Sequence, residues 1–272
     1  LIKASTIDEN HFLNIGTGKD LYEYKVNNKT IPYHLIDILS PEEDYSIHQF
    51  KKDFYTVHNK INKKNKFSLL CGGSGLYLES ILLNYQIPNV PPDKKLRENL
   101  QNQSINVLQD KLKKIDKSIY DPIYHITKRR IIRTIEVLNK NDMNPSVKSY
   151  NSINNFCVLG IKIERAILLE RIKKRLNERL NSGMIEEVET LIKKGMTLNR
   201  LKYFGLEYKF LGEYLFKNIS FEEMHNKLNI AINRFSKRQM TFFRRMEKRG
   251  IEIKWINNDD FSLATKYIQQ FL

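Results

Sequence analysis

The chain has 272 residues, 41% of them hydrophobic, with 46 Lys+Arg against 31 Asp+Glu and a formal net charge of +15. That length suits one large domain, or a domain with a smaller one inserted, around a sizeable core. A charge so far from zero ranks partners rather than folds: nucleic acid first, an anionic membrane surface second. A Lys- and Asn-rich composition inherited from an AT-rich genome gives the same total, so the placement of the charge has to decide. The two cysteines, Cys71 and Cys157, are too few for a disulfide framework or a zinc site. Both sit in apolar runs, so buried free thiols are expected. No apolar stretch approaches the ~20 residues of a membrane span, and no secretory signal is visible. A cytoplasmic location without a membrane partner is therefore expected.

Leu1-Ile2 runs straight into Lys3-Ala4 and reads as the tail of a strand whose start is missing, so an N-terminal piece is expected to have been cut off. His34-Leu35-Ile36-Asp37-Ile38, closed by Ser40-Pro41, reads as a strand end or a connection. Over residues 46–63, Ile47, Phe50, Phe54, Val57 and Ile61 recur at helical spacing. The run Phe67–Cys71 reads as a strand; Gly72-Gly73-Ser74-Gly75 follows at once, and a helix opens with Leu76, Leu78, Ile81 and Leu82. Strand, glycine turn and helix in succession predict an α/β fold with a parallel sheet. Pro88, Pro91 and Pro92 then mark a boundary, and residues 93–140 read as helical. A strand returns at Phe156–Ile163. The spacing predicts one helix with Leu169, Ile172, Leu176 and Leu180, broken by Ser182-Gly183, and another with Met184, Val188, Leu191 and Ile192, ended by Gly195. A long last helix starts at Ser220, with Glu223 completing a capping box. Its buried face is expected at Met224, Leu228, Ala231, Phe235 and Phe242, and Gly250 stops it before a strand at Ile251–Trp255. The expected layout is an α/β core over residues 1–90 and 151–272, with a helical insertion over 91–150.

Four constellations could carry chemistry. In Gly72-Gly73-Ser74-Gly75 the glycines would let backbone N–H groups crowd an anion at a helix N-terminus, with Ser74 adding a hydroxyl. A tight strand-to-helix turn with no ligand gives the same pattern. In Lys128–Arg133, Arg130 and Arg133 share one helix face, where two guanidinium forks suit phosphate oxygens. A solvated helix face is the alternative. On the last helix, Arg234, Lys237, Arg238, Thr241 and Arg245 form one polar stripe, and seven basic residues stand against the single acid Glu247 between Arg234 and Arg249. Such one-sided charge repels itself unless an anion answers it. Near the start, Gly16 and Gly18 imply a turn in which Thr17 and Lys19 could touch phosphate.

Taken together, these pieces resemble the bacterial tRNA dimethylallyltransferase family. Ile15–Lys19, His34–Ile38, Cys71–Leu78, Lys128–Glu136, Gly183–Val188, Gly205–Lys209 and Lys237–Thr241 stand in the family's order and span nearly the whole chain. The resemblance implies a P-loop NTPase-like parallel-sheet core with a helical insertion that contacts tRNA. It implies transfer of a five-carbon group from dimethylallyl diphosphate to N6 of the adenosine at tRNA position 37, with Mg2+ accompanying the diphosphate. The target base has to be extruded into a channel, and diphosphate departure needs positive charge where negative charge develops.

Carried over by position, Ser74 stands where the family has a threonine that contacts the target nucleotide. Arg97 stands at a tRNA-contact position, and Arg129, Arg130, Ile131, Ile132 and Arg133 match the insertion's tRNA-contact helix. Arg234, Lys237, Arg238 and Gln239 lie on the basic stretch that the family runs beside bound RNA. Ser5-Thr6-Ile7-Asp8 matches the family's Asp-Ser-x-Gln, a tRNA-contact motif whose Asp is the general base, so Ser5 replaces the carboxylate. A hydroxyl is a poor substitute at neutral pH. No P-loop is matched, which leaves Thr17 and Lys19 as diphosphate contacts and no protein ligand for a metal. A monomer is expected. Two other readings stand beside the transferase: a degenerate member that binds tRNA without catalysis, and a nucleotide kinase-like enzyme, against which the basic helices argue.

Overall fold

The computed structural model describes residues 2–3, 13–140, 150, 153, 155–258 and 260–272. The motif at Ser5, Thr6, Ile7 and Asp8 lies outside the described residues. The chain divides into two compact units, Leu1–Tyr85 with Ser152–Leu272, and Gln86–Asn151.

In the first unit, β1 (Ile2–Lys3) and a hairpin of β2 (Lys25–Val26) and β3 (Lys29–Thr30) precede α1 (Ile47–Asn62). Asn27 and Asn28 turn the hairpin at φ 48° and 62°, left-handed values that asparagine tolerates. Ser46 and Gln49 close a capping box at the start of α1. Next come β4 (Leu70–Cys71) and α2 (Gly75–Leu82). Ile2 lies parallel to Leu70, bridges His34 on a second side and is fully buried. The His34–Ile38 run is thus a connection, with Leu35 and Asp37 at positive φ. Phe50 of α1 stacks on Tyr77 of α2 with ring centroids 4.4 Å apart.

The second unit holds α3 (Lys94–Gln101), α4 (Ile105–Ile115) and α5 (Lys128–Asn139). Each starts at a side chain that accepts from the first-turn backbone: Asp93, Ser104 and Thr127. Their apolar faces meet in a core of Leu100, Leu108, Leu112, Ile131, Ile132 and Ile135.

Back in the first unit, β5 (Val158–Lys162) is followed by α6 (Arg165–Arg179), a π turn at Leu180–Met184, α7 (Ile185–Lys193), α8 (Leu198–Tyr203), α9 (Leu206–Leu215), α10 (Phe221–Lys248), β6 (Ile253–Asn257) and α11 (Phe261–Phe271). Gly183, at φ 97°, supplies the break between α6 and α7. The apolar stripes of α6 to α10 close around Leu176, Met184, Val188, Leu191, Tyr208, Leu211, Met224 and Leu228. β5 and β6 pair in parallel, Val158 opposite Ile253 through Lys162 opposite Asn257. The chain is thus α/β, with short parallel strand pairs joined through helices.

Four expectations need correction. Cys71 is exposed and Cys157 half-buried. Among the described residues the run Phe67–Cys71 pairs only at its end, and Phe67 and Leu69 are exposed; a continuous apolar run carries no signal for which of its residues find a partner strand. Phe235 is exposed rather than core although it shares a face with Met224, Leu228 and Met246, because the cluster at Leu228 and the one at Met246 leave the middle of α10 uncovered. The helices α8, α9 and α11 escaped the reading of apolar spacing.

Candidate nucleic-acid interface

The glycine turn sits directly against α10. Gln239 Nε2 donates to the Gly73 carbonyl at 3.1 Å. A Cβ on Gly73 would lie 2.1 Å from that nitrogen, and one on Gly75 would lie 2.2 Å from the Phe242 ring. Neither glycine has a positive φ. Close approach of α10 is therefore what requires glycine here, rather than a left-handed backbone. Ser74 precedes α2 but does not cap it, and its exposed hydroxyl has no partner among the described residues.

Arg234, Lys237 and Arg238 project from α10 into solvent and have no acidic partner within ion-pair distance among the described residues. Arg238 lies 5.8 Å from the centroid of the Phe235 ring. The glycine turn thus meets α10 at Gln239, and Arg234, Lys237 and Arg238 occupy a different face of the same helix within two turns of that contact. A turn with a free hydroxyl suits a nucleotide, and a row of unpaired cations on the helix that holds it suits the flanking phosphates.

Arg245, read from the sequence as part of the same stripe, is used differently. It donates to Glu79 Oε2 at 2.5 Å, and Arg249 donates to Oε1 at 3.0 Å. Glu79, on α2, is fully buried. Arg249 also reaches the Tyr85 hydroxyl. Part of the charge on α10 is therefore answered inside the fold, where it clamps α2 and its glycine turn in place. Sequence reasoning missed Glu79, although a lone acid between Leu78 and Ile81 in an apolar helix is itself a signal of a buried partner.

The Gly16–Lys19 turn is also turned inward. The amides of Asn14, Ile15 and Gly16 converge on the Glu187 carboxylate at 2.8, 2.7 and 3.1 Å, and the Tyr208 hydroxyl donates to it at 2.7 Å. Thr17 Oγ1 donates to the Leu13 carbonyl, and buried Lys19 is ion-paired with Asp37. The anion that this nest holds is thus the chain's own carboxylate, which corrects the expectation of Thr17 and Lys19 as diphosphate contacts. Burial pushes the nearby Glu207 carboxyl up, against the pull of Arg179 and Arg175. Replacing Glu187 by Ala leaves three amides and a phenol without their acceptor. We expect a loss of about 2 kcal/mol or more, read as a drop in the thermal midpoint.

In the second unit, the side chains of Ile131 and Ile132 are core and cannot reach RNA. Arg97 grips fully buried Glu136 with two bonds, at 2.5 and 2.8 Å, and Arg133 adds a third at 3.1 Å. The Asp93 amide donates to the same carboxylate at 3.0 Å. Arg97 thus ties α3 to α5, while Arg133 neutralises Glu136 within α5 and is not a free fork beside Arg130, whose guanidinium donates to the Tyr124 carbonyl. Arg129 remains exposed with no partner among the described residues. Burial works against ionisation of Glu136, but the hydrogen bonds from Arg97, Asp93 and Arg133 outweigh it and hold the carboxyl below its ordinary 4.5. A depressed carboxylate contributes stability that is complete above the unfolded value and lost as pH falls through the folded one. Wild type should therefore lose thermal stability below pH 4.5 more steeply than Glu136→Gln, measured by circular dichroism across an acid series.

Among the described residues, no group of three or more His, Cys, Asp or Glu side chains could hold a metal ion. No helix of the described residues is long and apolar enough to cross a membrane.

Comparison with known proteins gives this geometry a lineage. The model of the IPP transferase family matches residues 11–246. A tRNA dimethylallyltransferase 1 of Parabacteroides distasonis is 42% identical over 258 residues, covering 94% of this chain and 83% of that protein. Another, of Syntrophus aciditrophicus, is 39% identical over 265 residues, covering 94% and 85%. Among solved structures, the tRNA isopentenylpyrophosphate transferase of Bacillus halodurans superposes with a TM-score of 0.67 at 26% identity, covering 99% of this chain and 86% of that one. A eukaryotic dimethylallyltransferase acting on tRNA shares the fold, with a TM-score of 0.74 at 18% identity and coverage of 99% and 70%. The family match spans both units and includes the glycine turn, the nest at Glu187 and most of α10, and on that ground the chain belongs to the IPP transferase family.

Proposed function

We propose that this protein transfers a dimethylallyl group from dimethylallyl diphosphate to N6 of adenosine 37 in tRNA. The observation that carries the reading is that α10 both holds the glycine turn, through Gln239 and beside the free Ser74 hydroxyl, and bears a row of cations with no acidic partner among the described residues. In the reaction N6 attacks the first carbon of the dimethylallyl group, the carbon–oxygen bond to diphosphate breaks, and N6 gives up a proton. Ser74 and Gln239 would orient the adenosine, and Arg234, Lys237 and Arg238 would hold the flanking backbone. The group that accepts the proton belongs to the motif beginning at Ser5, outside the described residues. Magnesium enters this reading with the diphosphate oxygens. No residue is assigned as its ligand. Relatives named as tRNA dimethylallyltransferases support tRNA as the substrate, and in this reading the protein meets the anticodon stem-loop as a cytoplasmic monomer.

A second reading, tRNA binding without transfer, is favoured by Ser5 where the family has its general-base Asp. The two separate in one experiment. The full-length protein is incubated with an anticodon stem-loop and dimethylallyl diphosphate, and RNA binding and N6-alkylated adenosine are both measured. Alkylation is expected under the first reading. Binding without product would establish the second, and absence of both would sink each of them.

A further inference from the structure

The second unit carries an apolar loop that its own fold leaves in water. Between α4 and α5, Ile123 is 82% exposed, Ile126 59% and Tyr124 50%. The loop is nonetheless tightly built. The Asp121 carboxylate accepts from the amides of Ile123 at 2.7 Å and Tyr124 at 3.1 Å, and the His125 amide donates to the Asp121 carbonyl at 2.8 Å. His125 is the buried peg of the turn. Its Nδ1 accepts from the Asp121 amide at 3.0 Å, which leaves Nε2 to donate to Thr134 Oγ1 at 2.9 Å, and that hydroxyl donates to the Arg130 carbonyl. Arg130 donates to the Tyr124 carbonyl at 3.2 Å and lies 5.1 Å from the centroid of its ring. The His125 ring meets Tyr124 edge-on at 5.0 Å. Tyr124 is thus braced while half of its surface stays open.

The electrostatic setting identifies what the loop suits. From Lys111 to Arg133 there are eight basic residues and two acids, Asp116 and Asp121; Lys113 pairs with Asp110 and Arg133 with Glu136, which leaves six cations with no carboxylate partner among the described residues. Both acids accept from local backbone amides, Asp116 from Ser118 and Asp121 within the loop. A preorganised aromatic and aliphatic tip in a cationic surround fits a polyanion that displays flat apolar faces, which describes single-stranded RNA with unstacked bases. Exposed aliphatic side chains alone would suit a protein partner equally; the excess of positive charge favours RNA.

We propose that Tyr124, flanked by Ile123, is a stacking platform for an unstacked base of the bound RNA, with Arg130 bracing the ring and reaching the adjoining phosphate. This rests on the tRNA reading above and makes Tyr124 a positioning residue of the insertion, one that helps to hold the RNA loop open.

The test compares wild type, Tyr124→Ala, Tyr124→Trp and Ile123→Ser for binding to a labelled anticodon stem-loop across a salt series. A 2-aminopurine placed in the RNA loop reports stacking directly. Tyr124→Ala should weaken binding about tenfold with the salt slope unchanged, because stacking releases no counterions. Tyr124→Trp should restore affinity and deepen the 2-aminopurine quenching. If removal of the ring unfolds the loop, Ile123→Ser serves in its place, since that side chain supports nothing beneath it. Full affinity in both truncations overturns the proposal. So does a loss that appears only in the salt slope, or one that tracks the dissociation of a wild-type dimer in sedimentation. Wild type that binds no RNA overturns the functional reading itself; wild type that binds while the truncations are unaffected overturns the platform alone.

Discussion

Replacing Arg245 and Arg249 together by methionine is expected to destabilise the first unit by about 3–5 kcal/mol, more than removing the carboxylate they share. The asymmetry follows from burial. Glu79 is fully buried, whereas the two arginines keep 46% and 47% of their side-chain surface in water. Without the arginines, an ionised carboxylate is left in the core between α2 and α10 with no counter-charge, and that is the expensive arrangement. Without Glu79, both guanidiniums can turn outward along their aliphatic stems and rehydrate. Glu79→Met should accordingly cost about 1–2 kcal/mol, chiefly for lost hydrogen bonds. Arg245 also lies 4.0 Å from the centroid of the Phe242 ring, so its removal loosens the ring on which Gly75 sits. Urea midpoints for the two variants rank the losses. If Glu79→Met proved the worse of the two, the cluster would not be what holds α2 on α10. Because α2 carries the glycine turn, the double arginine variant should also disturb Ser74 and lose RNA affinity beyond what its charge explains.

The second large effect concerns the cations that remain free. Alanine at Arg234, Lys237 and Arg238 together should lower RNA affinity about a hundredfold at low salt and flatten the dependence of log affinity on log salt by about two units. Each single variant should remove a share of that slope in proportion to the phosphate it neutralises. Lys174→Ala removes the same charge from α6, where Lys174 pairs with Glu178 at 3.8 Å, and should leave the slope almost untouched. The comparison separates a positioned phosphate track from the general attraction of a chain with net charge +15. A triple variant that kept the wild-type slope would remove α10 from the interface.

Seen from the residues, the helices were legible because their signals are local. Ser46 with Gln49 and Ser220 with Glu223 are capping boxes readable at three-residue spacing, and the structure forms both. The break at Gly183 and the stops at Gly195 and Gly250 were equally legible, since each needs the positive φ that glycine alone adopts without strain. The surface of α10 at Arg234, Lys237 and Arg238 was legible for the same reason: residues three and four apart share a face wherever the helix sits.

What the tertiary structure alone decided is which charges were spoken for. Lys19, Arg97, Arg133 and Arg245 look in sequence like the cations that stay free, yet each is held by a carboxylate of the chain itself. Arg245 and Glu79 stand 166 residues apart, and the Ile15 amide and Glu187 172 apart. A charge in water has no preferred partner at such a distance, because solvent and salt screen it. Only when folding buries one member does the pairing become compulsory, since an uncompensated charge in the core is too costly to keep. The sequence by itself therefore determined the helices, their caps and the cationic excess. Burial decided which of the cations clamp the fold and which remain exposed on α10.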